Sequence, residues 1–361
     1  MKIYGIFRGF AGLGRVVSGM GLVKKFRDEG HEVKIFTYGQ GLTIASKYNF
    51  ECFAVKGDKD IGFMGIVPIS PTGLAVIGDI LAWQPDCVII DGEPLMVDCL
   101  RINSVQNKIV TLVNPLDLYS EKNNPVTINY FRYLFCQSDM VLCHGLHSVK
   151  DYLPVEKNNK VHCLNTILRD EILKIKRNNP KYINCILGGG TKNCSEDFVF
   201  STIEIAKRVM LIAKNRKDIT FNIYCNDLEI GRKLENINSY SNVEIIKQYT
   251  TPADIYANSK LVICRAGRNT ISELIYLKIP AIVISILGNI VSIEQSNNIK
   301  CANTISNGNI VGHSLNDEPA KIVDLFNNIF EEEVYYDDWR PGNIEAYSLI
   351  NQLLSKRVND F

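Results

Sequence analysis

With 361 residues, 46% of them hydrophobic, the chain is long enough for two domains that each bury a core. Its 40 lysines and arginines balance 39 acidic residues to a net charge of +1, which excludes the basic footprint of a nucleic-acid binder. The 11 cysteines show no CxxC pair and no metal-ligand spacing, and Cys87, Cys143 and Cys264 fall inside apolar runs; they read as reduced core residues, with no metal site.

The chain opens with a strand over Lys2–Phe7. Gly9, Gly12 and Gly14 then form a turn loose enough for backbone amides to approach a ligand, before a helix from near Val16 to Gly30 and a strand over Val33–Phe36. This is a βαβ opening whose glycine spacing is not GxGxxG, so it discriminates little by itself. Arg15 follows the turn. An arginine is always protonated and is no general base; it holds a phosphate or carboxylate, or points to water from the helix start. Arg8 and the early glycines interrupt any apolar signal core, and the chain is read as cytoplasmic.

Residues 61–78 carry no charge and reach the length of a membrane span, but Pro68, Ser70, Pro71 and Thr72 divide them into an apolar loop, a turn and a helix from about Thr72 to Trp83. Core packing is the default use of the apolar side chains at 61–67. Cys87–Ile90 is a buried strand, followed by Asp91-Gly92-Glu93-Pro94 and a helix to about Val105. Two carboxylates at a strand's carboxyl end are candidates for deprotonating an acceptor hydroxyl; alternatively Asp91 caps the next helix and Glu93 sits in its first turn. Glu93 is favoured for chemistry and Asp91 for the cap. His144 and His147, after the strand Met140–Cys143, are assigned to a loop. Residues 150–181 are poor in apolar periodicity and rich in asparagine and proline, as an interdomain segment is.

A second domain starts with the strand Ile183–Leu187, and Gly188, Gly189, Gly190 and Thr191 precede a helix from about Ser195. Adjacent glycines there expose several N–H groups to an anion. Strands at Phe221–Cys225 and Val243–Ile246 follow, then Gln248-Tyr249 and a helix over Pro252–Ala257. Leu261–Cys264 is a further buried strand, broken by Arg265-Ala266-Gly267; Asn269 or Thr270 caps the next helix, with Glu273 in its first turn. Pro280 ends that helix, Ala281–Ile286 is a strand, and beyond it lies a polar loop with Glu294, Gln295 and Asn298. Ligands of open α/β sheets bind at such strand ends. Two helices, around Pro319–Phe330 and Asn343–Lys356, close the chain.

The set R-A-G-x-x-T-x-x-E at Arg265–Glu273, the proline-led strand and the glutamine-bearing stretch resemble the nucleotide-sugar site of GT-B glycosyltransferases, in particular relatives of the peptidoglycan N-acetylglucosaminyltransferase. Arg27–Val33, Asp91–Pro94, Asn114-Pro115 and Asn165–Ile172 extend the likeness. The resemblance implies an α/β GT-B fold: two Rossmann-like domains facing each other across a cleft, an acceptor-side domain 1–165, a donor domain 166–342 and a returning helix 343–361. It puts the donor diphosphate near Gly267 and Thr270, with Arg265, Arg268 and Asn269 around it and the Gly188–Thr191 loop opposite. Glu273 would bind the ribose, Gln248 and Tyr249 the base, and Glu294, Gln295 and Asn298 the sugar. Gly12, Gly14 and Arg15 would approach the donor from the first domain. Relatives carry histidine where this chain has Arg15, and the base then falls to a carboxylate. The implied activity is inverting, metal-independent transfer from a UDP-sugar or another NDP-sugar to a small-molecule or lipid-linked acceptor, with no cofactor. The stretch 61–67 would meet a membrane peripherally. A nucleotide-sugar hydrolase or 2-epimerase, or a catalytically silent GT-B subunit, fits the same donor motifs.

Overall fold

The computed structural model describes residues 1–9, 13–55, 71–103, 105, 107–118, 125–146, 160–177, 180–188, 196–247, 251–286, 289–331, 336 and 338–355. The chain forms two compact units, Met1–Asp170 with Pro341–Phe361, and Glu171–Arg340.

In the first unit the chain runs β1 (Lys2–Phe7), α1 (Gly14–Asp28), β2 (Glu32–Tyr38), α2 (Gly41–Lys47), β3 (Glu51–Val55), α3 (Pro71–Trp83), β4 (Cys87–Asp91), α4 (Leu95–Ile102), β5 (Lys108–Val113), α5 (Pro115–Leu118), α6 (Pro125–Cys136), β6 (Met140–Gly145) and β7 (Val161–Asn165). Its sheet is parallel, in the order β3-β2-β1-β4-β5-β6-β7. Helices cover both faces, so β4 and β6 are buried along their whole length, and their apolar runs break only at the carboxyl ends, at Asp91 and His144. The strand order reverses between β1 and β4, where Arg8 N–H donates to the Asp91 carbonyl.

The edge strand β7 lies inside the stretch read as an interdomain segment. An edge strand has one neighbour and is half-buried, so His162, Cys163 and Asn165 dilute the apolar run that would have announced it.

The second unit contains α7 (Asp170–Leu173) after the chain crosses over, then β8 (Tyr182–Ile186), α8 (Glu196–Asn215), β9 (Phe221–Cys225), α9 (Leu228–Ile237), β10 (Val243–Lys247), α10 (Pro252–Asn258), β11 (Ser259–Arg265), α11 (Arg268–Tyr276), β12 (Ala281–Ser285), α12 (Asn289–Ile305), β13 (Ile310–Ser314) and α13 (Lys321–Glu331). Its parallel sheet has the order β10-β9-β8-β11-β12-β13, the Rossmann arrangement, with the reversal between β8 and β11. Ile205, Val209 and Ile212 of α8 and Phe326 of α13 pack on Ile183, Ile223, Ile263 and Ile284.

The stretch after β12, expected as a polar loop, is the helix α12. Among its described side chains Gln295, Asn298 and Ala302 are buried on one face, while much of the rest is polar and masks the helical period. Residues 61–67 lie outside the described residues. Among the described residues no helix is long and apolar enough to cross a membrane, and no cysteine forms a disulfide. Burial pushes the Cys264 thiol up to about 12.

Helix α14 (Asn343–Ser355) returns to the first unit, where Ala346, Ile350 and Leu354 join the core of α1 and β1 and the Tyr347 ring lies 4.7 Å from Phe26. Asn343 fixes its start. The amide oxygen accepts Leu168 N–H at 2.9 Å and the amide nitrogen donates to the Leu168 carbonyl at 2.8 Å, both buried. Asn343→Ala strands both backbone groups and is expected to lower stability by about 1–3 kcal/mol, measured as the urea midpoint.

In the second unit His313 of β13 is 2% exposed, and burial holds its imidazole below the ordinary pKa; Asp317 opposes this while Arg208 and Lys321 reinforce it. A base whose folded pKa is depressed stabilises fully above its unfolded pKa of about 6.5 and less as pH falls below it, by up to about 1.4 kcal/mol per pH unit. Replacing His313 with Gln is therefore expected to flatten the stability decline between pH 7.5 and pH 5, read from paired denaturation curves.

Candidate functional site

In each unit an arginine lies at the carboxyl ends of the strands where the sheet order reverses. In the second unit this is Arg265, the last residue of β11. Its guanidinium donates to the Leu187 carbonyl beyond β8 and lies over the Phe198 ring, 3.9 Å from the centroid. Gly188 faces it. At φ +88° a side chain is strained, and a Cβ there would stand 2.6 Å from Arg265 Nη2. Gly189, Gly190, Thr191, Gln248 and Tyr249 lie outside the described residues.

Helix α11 begins beside Arg265, and its N-cap is Gly267 with no side-chain capping bond, in place of the expected Asn269 or Thr270. Gly267 has an ordinary φ of −75°, and a Cβ there would meet nothing within 4 Å. Neither backbone nor packing requires glycine, so its effect is to leave open space before the helix's N–H groups, where an anion is favoured. Asn269 and Thr270 are half-buried on the first turn, and Arg268 is buried with Nε donating to Asn269 Oδ1 at 3.2 Å.

Glu273 is not in the first turn as expected but further along α11, because the helix starts at Arg268; it is 1% exposed and its Oε2 accepts the Tyr256 hydroxyl of α10 at 3.0 Å. A helix-end carboxylate in water is therefore not its role. Gln295 and Asn298 lie one turn apart on the buried face of α12. Gln295 Oε1 accepts Ile286 N–H at 2.9 Å and Asn298 Nδ2 donates to the Ala266 carbonyl at 3.3 Å. They tie α12 to the ends of β12 and β11, with Glu294 half-buried beside them.

In the first unit the arginine is Arg15, in the first turn of α1. It forks onto Asp117, Nη2 to Oδ1 at 2.8 Å and Nη1 to Oδ2 at 3.0 Å, and reaches Asp91 Oδ1 at 3.2 Å. Burial works against its charge, but Asp117 and Asp91 outweigh this and hold its pKa above the ordinary value. Arg15 thus holds carboxylates of its own chain and is not a helix-start side chain pointing to water. Gly92, at φ +81°, keeps the turn open: a Cβ would stand 2.6 Å from both Arg15 Cδ and Arg8 Cβ. Gly14 is the first residue of α1, and Gly12 lies outside the described residues.

Two expectations for the 91–94 turn are corrected. Helix α4 takes Pro94 as N-cap with no side-chain capping bond, so Asp91 is not its cap; Asp91 ends β4, 1% exposed, on Arg15. Glu93, favoured for chemistry, is fully buried and accepts the Tyr38 hydroxyl. His144, assigned to a loop, belongs to β6; it is fully buried, with Nε2 4.0 Å from Asp91 Oδ2. His147 lies outside the described residues.

Tyr256, Phe198, Tyr38, Asp117 and His144 were not singled out for these roles. Only Asp117 had a local signal: Asn114 N–H donates to Asp117 Oδ2, three residues on, as the third residue of a helix reaches back to the N-cap N–H in a capping box.

Gly188→Ala is expected to cost about 1–3 kcal/mol through backbone strain, and Gly267→Ala less than about 1 kcal/mol. Thermal melts of the two variants check the contrast.

Residues 213–324, within the second unit, match the glycosyltransferase family 28 C-terminal domain. The UDP-N-acetylglucosamine--N-acetylmuramyl-(pentapeptide) pyrophosphoryl-undecaprenol N-acetylglucosamine transferase of Clostridium perfringens is 26% identical over 80% of this chain and 80% of its own length. Among solved structures, MurG of Acinetobacter baumannii superposes with a TM-score of 0.62 at 14% identity, covering 97% of this chain and 99% of that one. The UDP-GlcNAc 2-epimerase of Methanocaldococcus jannaschii, bound to UDP-GlcNAc and UDP, does so with 0.66 at 14% identity, covering 98% and 100%. The chain has the GT-B fold and resembles the peptidoglycan N-acetylglucosaminyltransferases among the GT-B glycosyltransferases.

Proposed function

We propose that this chain is an inverting, metal-independent glycosyltransferase that moves a sugar from a nucleoside-diphosphate donor, UDP-linked, to a hydroxyl or amine of a small-molecule or lipid-linked acceptor. The observation that carries the reading is Gly267, a glycine with no structural requirement that leaves space at the start of α11, between Arg265 and Glu273 and inside the matched segment. A diphosphate in that space takes the N–H groups of α11 and the Arg265 charge in place of a metal ion. One turn along, the Glu273 carboxylate accepts from the ribose hydroxyls while Tyr256 keeps it aimed. Gln295 and Asn298 serve by holding α12 against the strand ends, with Glu294 left for the sugar.

Direct displacement requires a group that takes the acceptor's proton as its oxygen or nitrogen bonds to the anomeric carbon and the nucleoside diphosphate leaves. Of the two carboxylates in the 91–93 turn, Asp91 suits this role better. Both are buried, but Glu93 is engaged by Tyr38, whereas Asp91 ends β4 with its orientation held by Arg15. The 2-epimerase likeness is one of fold, and a sugar isomer formed without acceptor would favour that reading.

Glu273→Gln keeps an acceptor for Tyr256 but loses the charge-assisted contact to the ribose, worth about 1.5–3 kcal/mol. UDP affinity by calorimetry is expected to fall roughly ten- to a hundred-fold, with the melting temperature little changed; equal affinity removes the ribose assignment. Across a panel of nucleotide sugars, UDP release that depends on an acceptor supports transfer, release without one indicates hydrolysis, and no turnover at all leaves a silent donor-binding subunit. Asp91→Asn is expected to lower transfer by about 10²–10⁴-fold while UDP still binds.

A further inference from the structure

We infer that His144 is a positioning residue for Asp91, presenting a backbone-locked Nε2–H to the carboxylate oxygen that Arg15 does not hold. The inference rests on the transfer reading for its role in catalysis, but its geometry stands on the first unit alone. His144 comes from β6 and Asp91 from β4, with β5 between them in the sheet, and both are buried. His144 Nδ1 accepts the Ile167 N–H at 3.3 Å. A nitrogen that accepts a backbone N–H carries no proton, so the neutral ring bears its hydrogen on Nε2, the atom 4.0 Å from Asp91 Oδ2.

Protonating the ring would set Nδ1–H against Ile167 N–H, two donors face to face. His144 is thus held neutral and is a donor to Asp91, not a proton carrier. At 4.0 Å the contact is electrostatic, and it becomes a hydrogen bond when the carboxylate shifts toward the imidazole, as catalytic contacts in ligand-free enzymes do. Among the described residues, the charged and titratable groups near the pair include Arg15 on α1, Asp117 on α5, Arg8 beside Gly92, and Glu93 with its partner Tyr38. Arg15 divides its charge between two carboxylates, so His144 supplies a second fixed dipole that keeps Asp91 ionised and oriented.

Nitrogen-15 histidine NMR on the full chain tests the pairing without turnover, the His144 signals being assigned by their loss in His144→Gln. The expected result is a neutral Nε2-protonated ring from about pH 8 to about pH 5.5, although an ordinary histidine titrates near 6.5, with its Nε2 shift altered in Asp91→Asn. A Nδ1-protonated ring, ordinary titration, or indifference to Asp91→Asn overturns the inference.

In transfer assays His144→Leu removes a donor to the charged carboxylate, so the acid limb of kcat/KM moves to higher pH and kcat falls about tenfold or more, with UDP affinity unchanged. His144→Gln, whose amide nitrogen reaches the Nε2 position, restores both. Equal losses in the two variants with the acid limb unmoved reduce His144 to packing and overturn the role. If the wild type binds UDP but transfers to nothing, the function proposed above fails, and the NMR result still decides the pairing.

Discussion

The reversal of strand order in a parallel sheet is the constraint on which both units depend. Where β1 meets β4, and again where β8 meets β11, successive connections leave toward opposite faces, and the crevice outside the strands' carboxyl ends is where ligands of such sheets bind. Backbone groups at such ends need partners, and the opening needs a side chain that tolerates both burial and water. Arginine suits both demands, since its planar fork satisfies several acceptors and its charge persists under partial burial. Arg265 uses the fork on a backbone carbonyl and the face of Phe198, while Arg15 uses it on two carboxylates. A left-handed glycine accompanies each, Gly188 and Gly92, because the arginine occupies the volume where a Cβ would lie.

The same local solution produces different electrostatics. Around Arg265 the guanidinium meets the Leu187 carbonyl and the Phe198 ring, and the neighbouring α11 presents its positive end to open space. This arrangement favours an anionic ligand. Around Arg15 the chain supplies the anions itself, Asp117 and Asp91, and the cation serves to orient a carboxylate. The donor and acceptor-activating roles proposed for the two units rest on the open start of α11 in one and on the carboxylates held by Arg15 in the other.

Burial reassigned several residues. Glu93 attracts notice in the sequence as one of two acids in a turn, yet the Tyr38 hydroxyl and full burial turn it inward. Glu273, Gln295 and Asn298 are all buried, and each makes a hydrogen bond within the unit, so their substitution carries a structural cost that a surface loop residue would not. His144 moves the other way, from a residue assigned to a loop to a strand residue facing Asp91.

Hydrophobic patterning alone determined the alternation of apolar strands with helices, the βαβ opening, and the order of the strand, glycine turn and helix at Leu261–Tyr276, because strands buried on both faces and helices packed on one leave periods that survive in the sequence. The motif around Gly267 was legible for the same reason: its residues are close in the chain. Patterning failed where an element packs weakly, as at the edge strand β7 and the polar-faced α12. Only the tertiary structure decided the contacts between distant residues. Arg15 with Asp117, Tyr38 with Glu93 and His144 with Asp91 join elements of the first unit far apart along the chain, and no local periodicity encodes such a pairing. Strand order brings these side chains to one sheet end, and burial then determines which polar atoms must find partners there.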